Sequence, residues 1–291
     1  MQRHIGQWSI EEMAKALGVS RSGYYQFSKS SPCKRSQENK HLITVIRSIH
    51  QRSRGTYGSP RIHAELQMEG ELCSRKRVAR LMKQEGIEAK MKRRFRTTTK
   101  VDVLAKKSPN LLQQDFRAEK PNQRWVSDNT YIATDEGWLY VAAILDLFSR
   151  RIVGLSMGSR LTTELVRNAL YQAITHRKPE SGLLYHSDKG CQYTSHAFQK
   201  DLAVNEMLCS MSGTGNCYDN AAMESFFHTL KTEHVYFESY KTREQAKQSI
   251  FEYVEVFYNR KRRHSTLGFL APEIFENQWL QRQNLSLPSV H

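Results

Sequence analysis

The chain has 291 residues, 39% of them hydrophobic, which is enough apolar material for about two globular domains. Its 44 basic and 29 acidic side chains give a formal net charge of +15, which favours a polyanionic partner, although a solvated basic surface would have the same composition. The five cysteines are irregularly spaced and include no CxxC pair, which argues against a disulfide framework. The apolar run 138–148 is too short to span a bilayer, and the N-terminus has no apolar signal core. We therefore predict a cytoplasmic protein.

The first 55 residues predict a helix-turn-helix-like DNA-binding region. Ser9 and Glu12 have the spacing of a capping box, Gly18 ends that helix, and Ser20 is placed to cap a second helix. The second helix of such a motif enters the major groove with its first residues at the base edges, so Arg21 is a candidate DNA contact. An ordinary helical hairpin is the alternative interpretation.

A second helix-turn-helix-like segment is predicted over residues 56–90, after a connecting helix over 37–52. Ser59 and Pro60 suit the start of its first helix, and Ser74 is placed to cap the second. The outer face of this last helix is basic, and its candidate phosphate contacts are Arg75, Lys76, Arg77 and Arg80. A charged face that only aids solubility is the alternative.

Residues 91–115 are predicted to form a basic linker, because they lack apolar periodicity. Arg93, Arg94 and Arg96 are candidates for following a DNA backbone, and a plain solvated tether is compatible with the same composition.

Residues 116–280 predict an α/β domain, followed by a tail over 281–291. Strand-like runs at 124–132, 138–145 and 151–157 are separated by short turns, which indicates an antiparallel meander. Helices then alternate with two further short strands in the order βββαβαβα, which is typical of a domain with a mixed sheet.

Three acidic side chains of this domain predict a metal site. Asp128 lies in the first strand-like run, Asp188 follows a short apolar run, and Glu224 lies one turn into a helix that starts near Asn220. Positions 188 and 224 leave 35 residues between them. Three carboxylates on strands and a helix suit two Mg²⁺ ions, which take oxygen ligands and can clamp the attacking and leaving oxygens of a phosphoryl transfer.

Two other titratable residues near strand ends are predicted to have structural roles. Asp146 precedes Phe-Ser-Arg and is predicted to form a turn or to pair with Arg150 or Arg151. His186 is predicted to be a packed, hydrogen-bonded residue, with contact to DNA or metal as the alternative.

Four motifs resemble the integrase core of bacterial insertion-sequence transposases, specifically the second reading-frame product of the IS-three family. They are Trp125-x-x-Asp128-x-Thr130-Tyr131, His186-Ser187-Asp188-x-Gly190-x-Gln192-Tyr193, Asp219-Asn220-x-x-x-Glu224-Ser225-Phe226-Phe227-x-x-x-Lys231, and Tyr258-Asn259-x-x-Arg262-x-His264-x-x-Leu267-Gly268-x-x-x-Pro272. The N-terminal helical region resembles the same family. Each motif alone is weak, and their order and spacing together make the resemblance specific.

The resemblance implies an RNase H-like integrase core, shared with retroviral integrases, with a mixed five-stranded sheet and flanking helices after an all-α region. It implies that Asp128, Asp188 and Glu224 are the catalytic metal ligands, for two Mg²⁺ ions with Mn²⁺ as a substitute. Lys231 matches the family's basic position, and seven residues place it on the helix face of Glu224, where it can meet a DNA phosphate. Arg262 and His264 are further candidate DNA contacts, with a helix C-terminus that favours cations as the alternative.

The implied partners are double-stranded DNA, as element terminal repeats and target, further copies of the chain on DNA, and a first-frame product. The implied location is the bacterial nucleoid. Two other function classes stay open: a helix-turn-helix regulator without catalysis, and another RNase H-like nuclease that hydrolyses without joining.

Overall fold

The computed structural model describes residues 1–29, 33–90, 108–213 and 217–286. The chain divides into two compact units, one of Met1–Arg54 with Gly58–Glu88 and one of Gly55–Tyr57 with Ala89–His291. None of the helices among the described residues is long and apolar enough to cross a membrane. Cys33, Cys73, Cys191 and Cys209 are free thiols. The predicted contacts at Arg93, Arg94 and Arg96 lie outside the described residues.

The first unit begins with two short capped helices, α1 (Ile10–Ala16) and α2 (Arg21–Lys29). Ser9 Oγ accepts a hydrogen bond from Glu12 N at 3.2 Å, and Glu12 Oε2 accepts one from Ser9 N at 3.0 Å, so the capping box is confirmed. Gly18 has a φ of +63° in the turn, a left-handed conformation that favours glycine. Ser20 Oγ accepts from Gly23 N at 3.0 Å and so caps α2 as predicted.

Three further helices complete the first unit: α3 (Lys34–Arg52), α4 (Ser59–Met68) and α5 (Arg75–Gln84). α3 starts three residues earlier than predicted. Gly58 is the N-cap of α4, so Pro60 is its second residue rather than its first. Ser74 caps α5 as predicted. The buried apolar side chains of the three helices are Leu42, Ile46, Ile49, Ile62, Leu66, Val78, Leu81 and Met82.

The second unit is built on a five-stranded sheet, which confirms the predicted mixed sheet. β1 (Arg124–Thr134), β2 (Gly137–Asp146) and β3 (Ile152–Gly158) form the antiparallel meander. β4 (Leu184–Ser187) and β5 (Leu208–Met211) run parallel to β1 on its other side, in the order β3-β2-β1-β4-β5. The α/β prediction for this part of the chain is therefore correct.

Six helices accompany the sheet in the described part of this unit: α6 (Thr163–Arg177), α7 (Cys191–Thr194), α8 (His196–Val204), α9 (Ala221–Glu233), α10 (Arg243–Phe251) and α11 (Pro272–Ser286). Thr162 caps α6, Ser195 caps α8 and Thr242 caps α10. α10 continues as a π-helix over Glu252–Tyr258. The sequence patterns did not predict α7, the π-helix or α11, and α11 continues past residue 280.

The core of this unit lies between the sheet and helices α6, α7 and α8. Trp125, Tyr185 and Phe198 are fully buried there. β3 approaches α6 so closely that a Cβ at Gly154 would lie 2.3 Å from the backbone oxygen of Ala169, so only glycine fits at this position. The rigid sheet then fixes the positions of the side chains at the strand ends.

Candidate active site

Two of the predicted acids come together because β1 and β4 are parallel neighbours. Val126 lies beside His186 in the register, and Asp128 and Asp188 each follow two residues later. Side chains two residues apart on a strand point to the same face, so the two carboxylates lie side by side at this edge. Burial and the charge of Asp188 raise the pKa of Asp128 to about 7.

Asp188 is oriented by the backbone of the loop that follows β4. Its Oδ1 accepts a hydrogen bond from Gly190 N at 2.9 Å. A Cβ at Gly190 would lie 3.0 Å from that oxygen, so glycine allows the close approach. Burial raises the pKa of Asp188, and the bond from Gly190 opposes the shift. The carboxyl group is therefore held in place but poorly solvated.

Glu224 approaches the pair from the first turn of α9. It is exposed, and partial burial raises its pKa. Its charge also contributes to the raised pKa of Asp128, so the third acid lies within electrostatic range of the first. The structure thus places Asp128 and Asp188 side by side at the edge of the sheet and Glu224, on a helix, within electrostatic range of Asp128.

Two polar side chains that the sequence patterns did not assign to the site fix the start of α9. Asn220 Nδ2 donates to the backbone oxygen of Ser127 at 3.0 Å, one residue before Asp128. Asp219 Oδ2 accepts from Gly213 N at 2.6 Å and from Asn110 Nδ2 at 2.9 Å. These bonds tie the helix that carries Glu224 to β1 and to the preceding loop. Their partners are distant in sequence, so no local pattern indicates them.

Lys231, seven residues after Glu224 on α9, lies within electrostatic range of Asp128. It is half-buried, and its Nζ lies 5.3 Å from the centroid of the Tyr131 ring. Burial lowers the pKa of Lys231, and the charge of Asp128 opposes that shift. Lys231 therefore places a positive charge beside Asp128.

The three carboxylates fit a hard divalent cation by their chemistry, but they lie too far apart to share one. Among the described residues, no group of three His, Cys, Asp or Glu side chains is close enough to hold a metal ion. Three carboxylates supply the oxygen ligands that Mg²⁺ takes, and a cation would relieve the repulsion that raises the pKa of Asp128. These residues thus have the chemistry of a metal site, and the three carboxylates must approach one another before they can share an ion.

The candidate DNA contacts of the first unit lie mostly at its surface. Arg75, Lys76 and Arg80 are exposed on α5. Arg77 is half-buried and pairs with Glu38 at 3.1 Å. Arg21, at the start of α2, is exposed and pairs with Glu11 at 3.2 Å. Exposed pairs of this kind are weak and can exchange for a phosphate.

Arg262 does not fit the predicted role of a DNA contact. Its side chain is 4% exposed, and its Nε and Nη2 donate to the two carboxylate oxygens of Glu233 at 2.8 and 2.7 Å. A buried guanidinium that donates through Nε and Nη2 to one carboxylate is not accessible to DNA, so Arg262 anchors α9 instead. His264 is half-buried, and its Nδ1 lies 2.9 Å from Thr266 Oγ1.

Asp146 and His186 have structural roles. Asp146 accepts hydrogen bonds from Phe148 N and Asn122 N, as a turn former, but its ion-pair partner is Arg177 at 3.6 Å rather than Arg150 or Arg151. His186 is fully buried, and its ring nitrogens lie 2.8 and 3.1 Å from the hydroxyls of Ser210 and Ser212. Burial lowers the pKa of His186 to about 4, so it is neutral at physiological pH.

Family models match most of the chain. An HTH-like domain matches residues 36–95, and two integrase core domain models match residues 118–217 and 224–280. "Transposase InsF for insertion sequence IS3A" from Escherichia coli (strain K12) is 41% identical over 280 residues, which cover 96% of this chain and 97% of the relative. The chain belongs to the IS3 family of transposases.

A second relative and two solved structures are also similar to the chain. "Insertion element IS600 uncharacterized 31 kDa protein" from Shigella sonnei is 44% identical, over 92% of this chain and 99% of the relative. The chain also resembles the simian T-cell lymphotropic virus intasome in complex with PP2A regulatory subunit B56 gamma (14% identity, TM-score 0.47, 84% of this chain and 76% of that chain). The catalytic core domain of BIV integrase aligns with 18% identity and a TM-score of 0.42, over 56% of this chain and 99% of that chain.

Proposed function

We propose that this IS3-family chain cleaves DNA at the 3′ ends of an insertion element and joins those ends to target DNA. Asp128, Asp188 and Glu224 act as the catalytic metal ligands for two Mg²⁺ ions, with Mn²⁺ as a substitute. The observation that carries the proposal is the electrostatic coupling of Asp128 to both other acids, with Lys231 beside it. Two buried carboxylates and an exposed third one, next to one lysine, suit in-line phosphoryl transfer better than a structural role.

The two metal ions, when bound, lower the pKa of the attacking hydroxyl and stabilise the leaving 3′-oxygen. Asp128 holds its place within β1, and Asp188 holds its place directly after β4, the parallel neighbour of β1. Because the pKa of Asp128 is about 7, that carboxyl must release a proton before it can act as a ligand at neutral pH. Glu224, which is exposed at the start of α9, moves towards Asp128 as the site assembles. Lys231 neutralises charge on the phosphate that enters beside Asp128.

DNA is the partner that the rest of the chain is suited to bind. The exposed residues Arg75, Lys76 and Arg80 of α5 contact phosphates, and Arg21 contacts the edge of the major groove. Transposition pairs two element ends, so the chain acts as a dimer or larger oligomer on DNA. A first-frame product is a further partner. Arg93, Arg94 and Arg96 remain candidate backbone contacts.

The test is a strand-transfer assay with a labelled element-end duplex, supercoiled target DNA and Mg²⁺. Glu224→Gln is compared with Glu238→Gln, a matched change at an exposed position after α9. We expect joined products from the wild type and from Glu238→Gln, and none from Glu224→Gln or after EDTA addition. Cutting without joining would favour another RNase H-like nuclease. DNA binding with neither reaction, even with the first-frame product added, would favour a regulator and refute the proposal.

A further inference from the structure

A small cavity with a mixed polar and apolar lining lies on a face of α9 other than the one that carries Glu224. Its volume is about 130 Å³, well below the several hundred Å³ of a site for a drug-sized molecule. Ser225 and Thr229 contribute one wall from adjacent turns of α9, and the turn after β2 contributes another. We call it the Arg150 pocket, after the polar residues that line it: Arg150, Ser225, Thr229, Tyr258, His264 and Thr266.

Arg150 brings a partly desolvated positive charge to this cavity. It is half-buried in the turn between β2 and β3, at a φ of +59°, and its Nη2 donates to the backbone oxygen of Phe116 at 3.3 Å. Asp146, the nearest acid in sequence, pairs with Arg177. Within the described residues, no carboxylate forms an ion pair with Arg150, and Asp146 acts on it only through longer-range charge. A guanidinium in this position is stabilised by an anion that enters from solvent.

Beside the apolar side chains of Leu145, Ala222 and Phe226, the lining supplies hydrogen-bond donors of the kinds that bind phosphate. Ser225, Thr229 and Thr266 have hydroxyl groups at the cavity, and His264 has an imidazole held by Thr266. None of the described residues that line the cavity is acidic. Arginine together with serine, threonine and tyrosine hydroxyls makes most protein contacts to DNA phosphates.

We infer that the Arg150 pocket binds one backbone phosphate of the DNA substrate, away from the phosphate that is cut. This inference rests on the proposed function, because it makes the same DNA the ligand of both sites. Ser225 follows Glu224 directly, and a helix is about 10–12 Å across, while DNA rises about 3.4 Å per nucleotide. The bound phosphate therefore lies within roughly three or four nucleotides of the cut and fixes the register of the strand.

The first experiment measures the salt dependence of binding to a short element-end duplex. All proteins carry Glu224→Gln and are kept in EDTA, so the readout does not depend on catalysis. Arg150→Gln is compared with Arg117→Gln, a matched loss of charge at a fully exposed arginine of the same unit. We expect Arg150→Gln to weaken binding roughly tenfold and to reduce the slope of log K against log salt by about 0.9, the value for one phosphate. Arg117→Gln should change neither.

The second experiment locates the phosphate. Duplexes with a single neutral methylphosphonate are scanned along the strand near the cut. One position should weaken wild-type binding but have no further effect on Arg150→Gln, as in a double-mutant cycle. Thr229→Val, a near-isosteric change, should show a smaller loss of binding that couples to the same methylphosphonate position. If Arg150→Gln does not fold, the Thr229→Val result alone tests the inference.

The inference would be overturned if Arg150→Gln bound DNA with the same affinity and salt slope as the protein with Glu224→Gln alone. It would also be overturned if the losses of affinity from Arg150→Gln and from the methylphosphonate simply added at every position. The proposed chemistry fails separately, because strand transfer is scored with an intact Glu224 and Mg²⁺. A chain that binds this phosphate but does not join DNA would retain the pocket and lose the transposase proposal. A chain that joins DNA but shows no coupling between Arg150 and any methylphosphonate would retain the transposase proposal and lose the pocket.

Discussion

Replacing Arg262 with methionine tests whether this arginine holds the catalytic unit together. Arg262 and Glu233 are 4% and 5% exposed, and they share two short hydrogen bonds. Tyr253 also donates to Glu233 Oε2, at 3.1 Å. Arg262→Met removes the countercharge of a carboxylate that stays buried. Breaking a buried pair in this way costs about 3–5 kcal/mol of unfolding free energy.

The assay is thermal and urea unfolding, followed by tryptophan fluorescence. Trp125 is fully buried beside the core and reports on the second unit. For a unit of about 150–250 residues, each kcal/mol shifts the melting temperature by about 2–4 °C, so we expect a loss of roughly 6–20 °C. The double variant with Glu233→Met should recover most of that loss, because it leaves no buried charge. Lys247→Met, which breaks the exposed pair with Glu244, should cost less than about 0.5 kcal/mol.

The refuting result is specific. If Arg262→Met unfolds like the wild type and loses DNA affinity in proportion to one phosphate contact, then Arg262 faces DNA in solution. The anchoring role of this arginine would then be wrong.

Three further predictions follow from buried contacts. Asn259→Asp should cost about 1–3 kcal/mol of unfolding free energy, because the new carboxylate cannot donate to the backbone oxygen of Ile152, which Asn259 Nδ2 reaches at 3.0 Å. Gly154→Ala should cost about 3 kcal/mol, since its Cβ would meet the Ala169 backbone oxygen at 2.3 Å. His186, whose pKa is lowered to about 4, contributes stability that is complete above pH ~6.5 and declines by up to about 3 kcal/mol as the pH falls towards 4. In EDTA, His186→Gln should remove that part of the pH dependence.

Two of these changes have a matched control. Gly158→Ala places its Cβ 3.3 Å from a flexible Leu165 methyl group, so it should cost much less than Gly154→Ala. His176→Gln changes an exposed histidine of α6 and should leave the acid-side slope of stability unchanged. Equal urea midpoints for Asn259→Asp and the wild type would show that the bond to Ile152 contributes nothing.

The features that the sequence predicted well are set by local chemistry. A serine whose hydroxyl accepts from the amide three residues later caps a helix, and Ser9, Ser20 and Ser74 all do so. Strands with short turns pair with their neighbours, so the meander followed from spacing. The three acids required the family resemblance as well, because residues far apart in sequence meet only through the parallel pairing of β1 and β4.

The features that it missed depend on tertiary contacts. The basic run from Arg260 to Arg263 is uniform in sequence, and yet Arg260 and Lys261 are exposed, while Arg262 and Arg263 are buried. Composition cannot separate the two pairs, since Arg262 bonds to Glu233 on another helix and Arg263 bonds to the backbone oxygen of Phe269. For the same reason, Arg150 was predicted as a partner of Asp146, whereas Arg177, which is distant in sequence, takes that place.

The π-helix over Glu252–Tyr258 makes the chain sensitive to changes in its length. The wider turn sets the rotation at which Asn259 reaches Ile152 and Arg262 reaches Glu233. Loss of one residue there would change this winding and so alter the angle at which Asn259 and Arg262 leave the helix. In-frame deletions should therefore be tolerated far less in this segment than in surface loops, and copies of such an element that lose a single codon here should encode unfolded rather than merely slower enzymes.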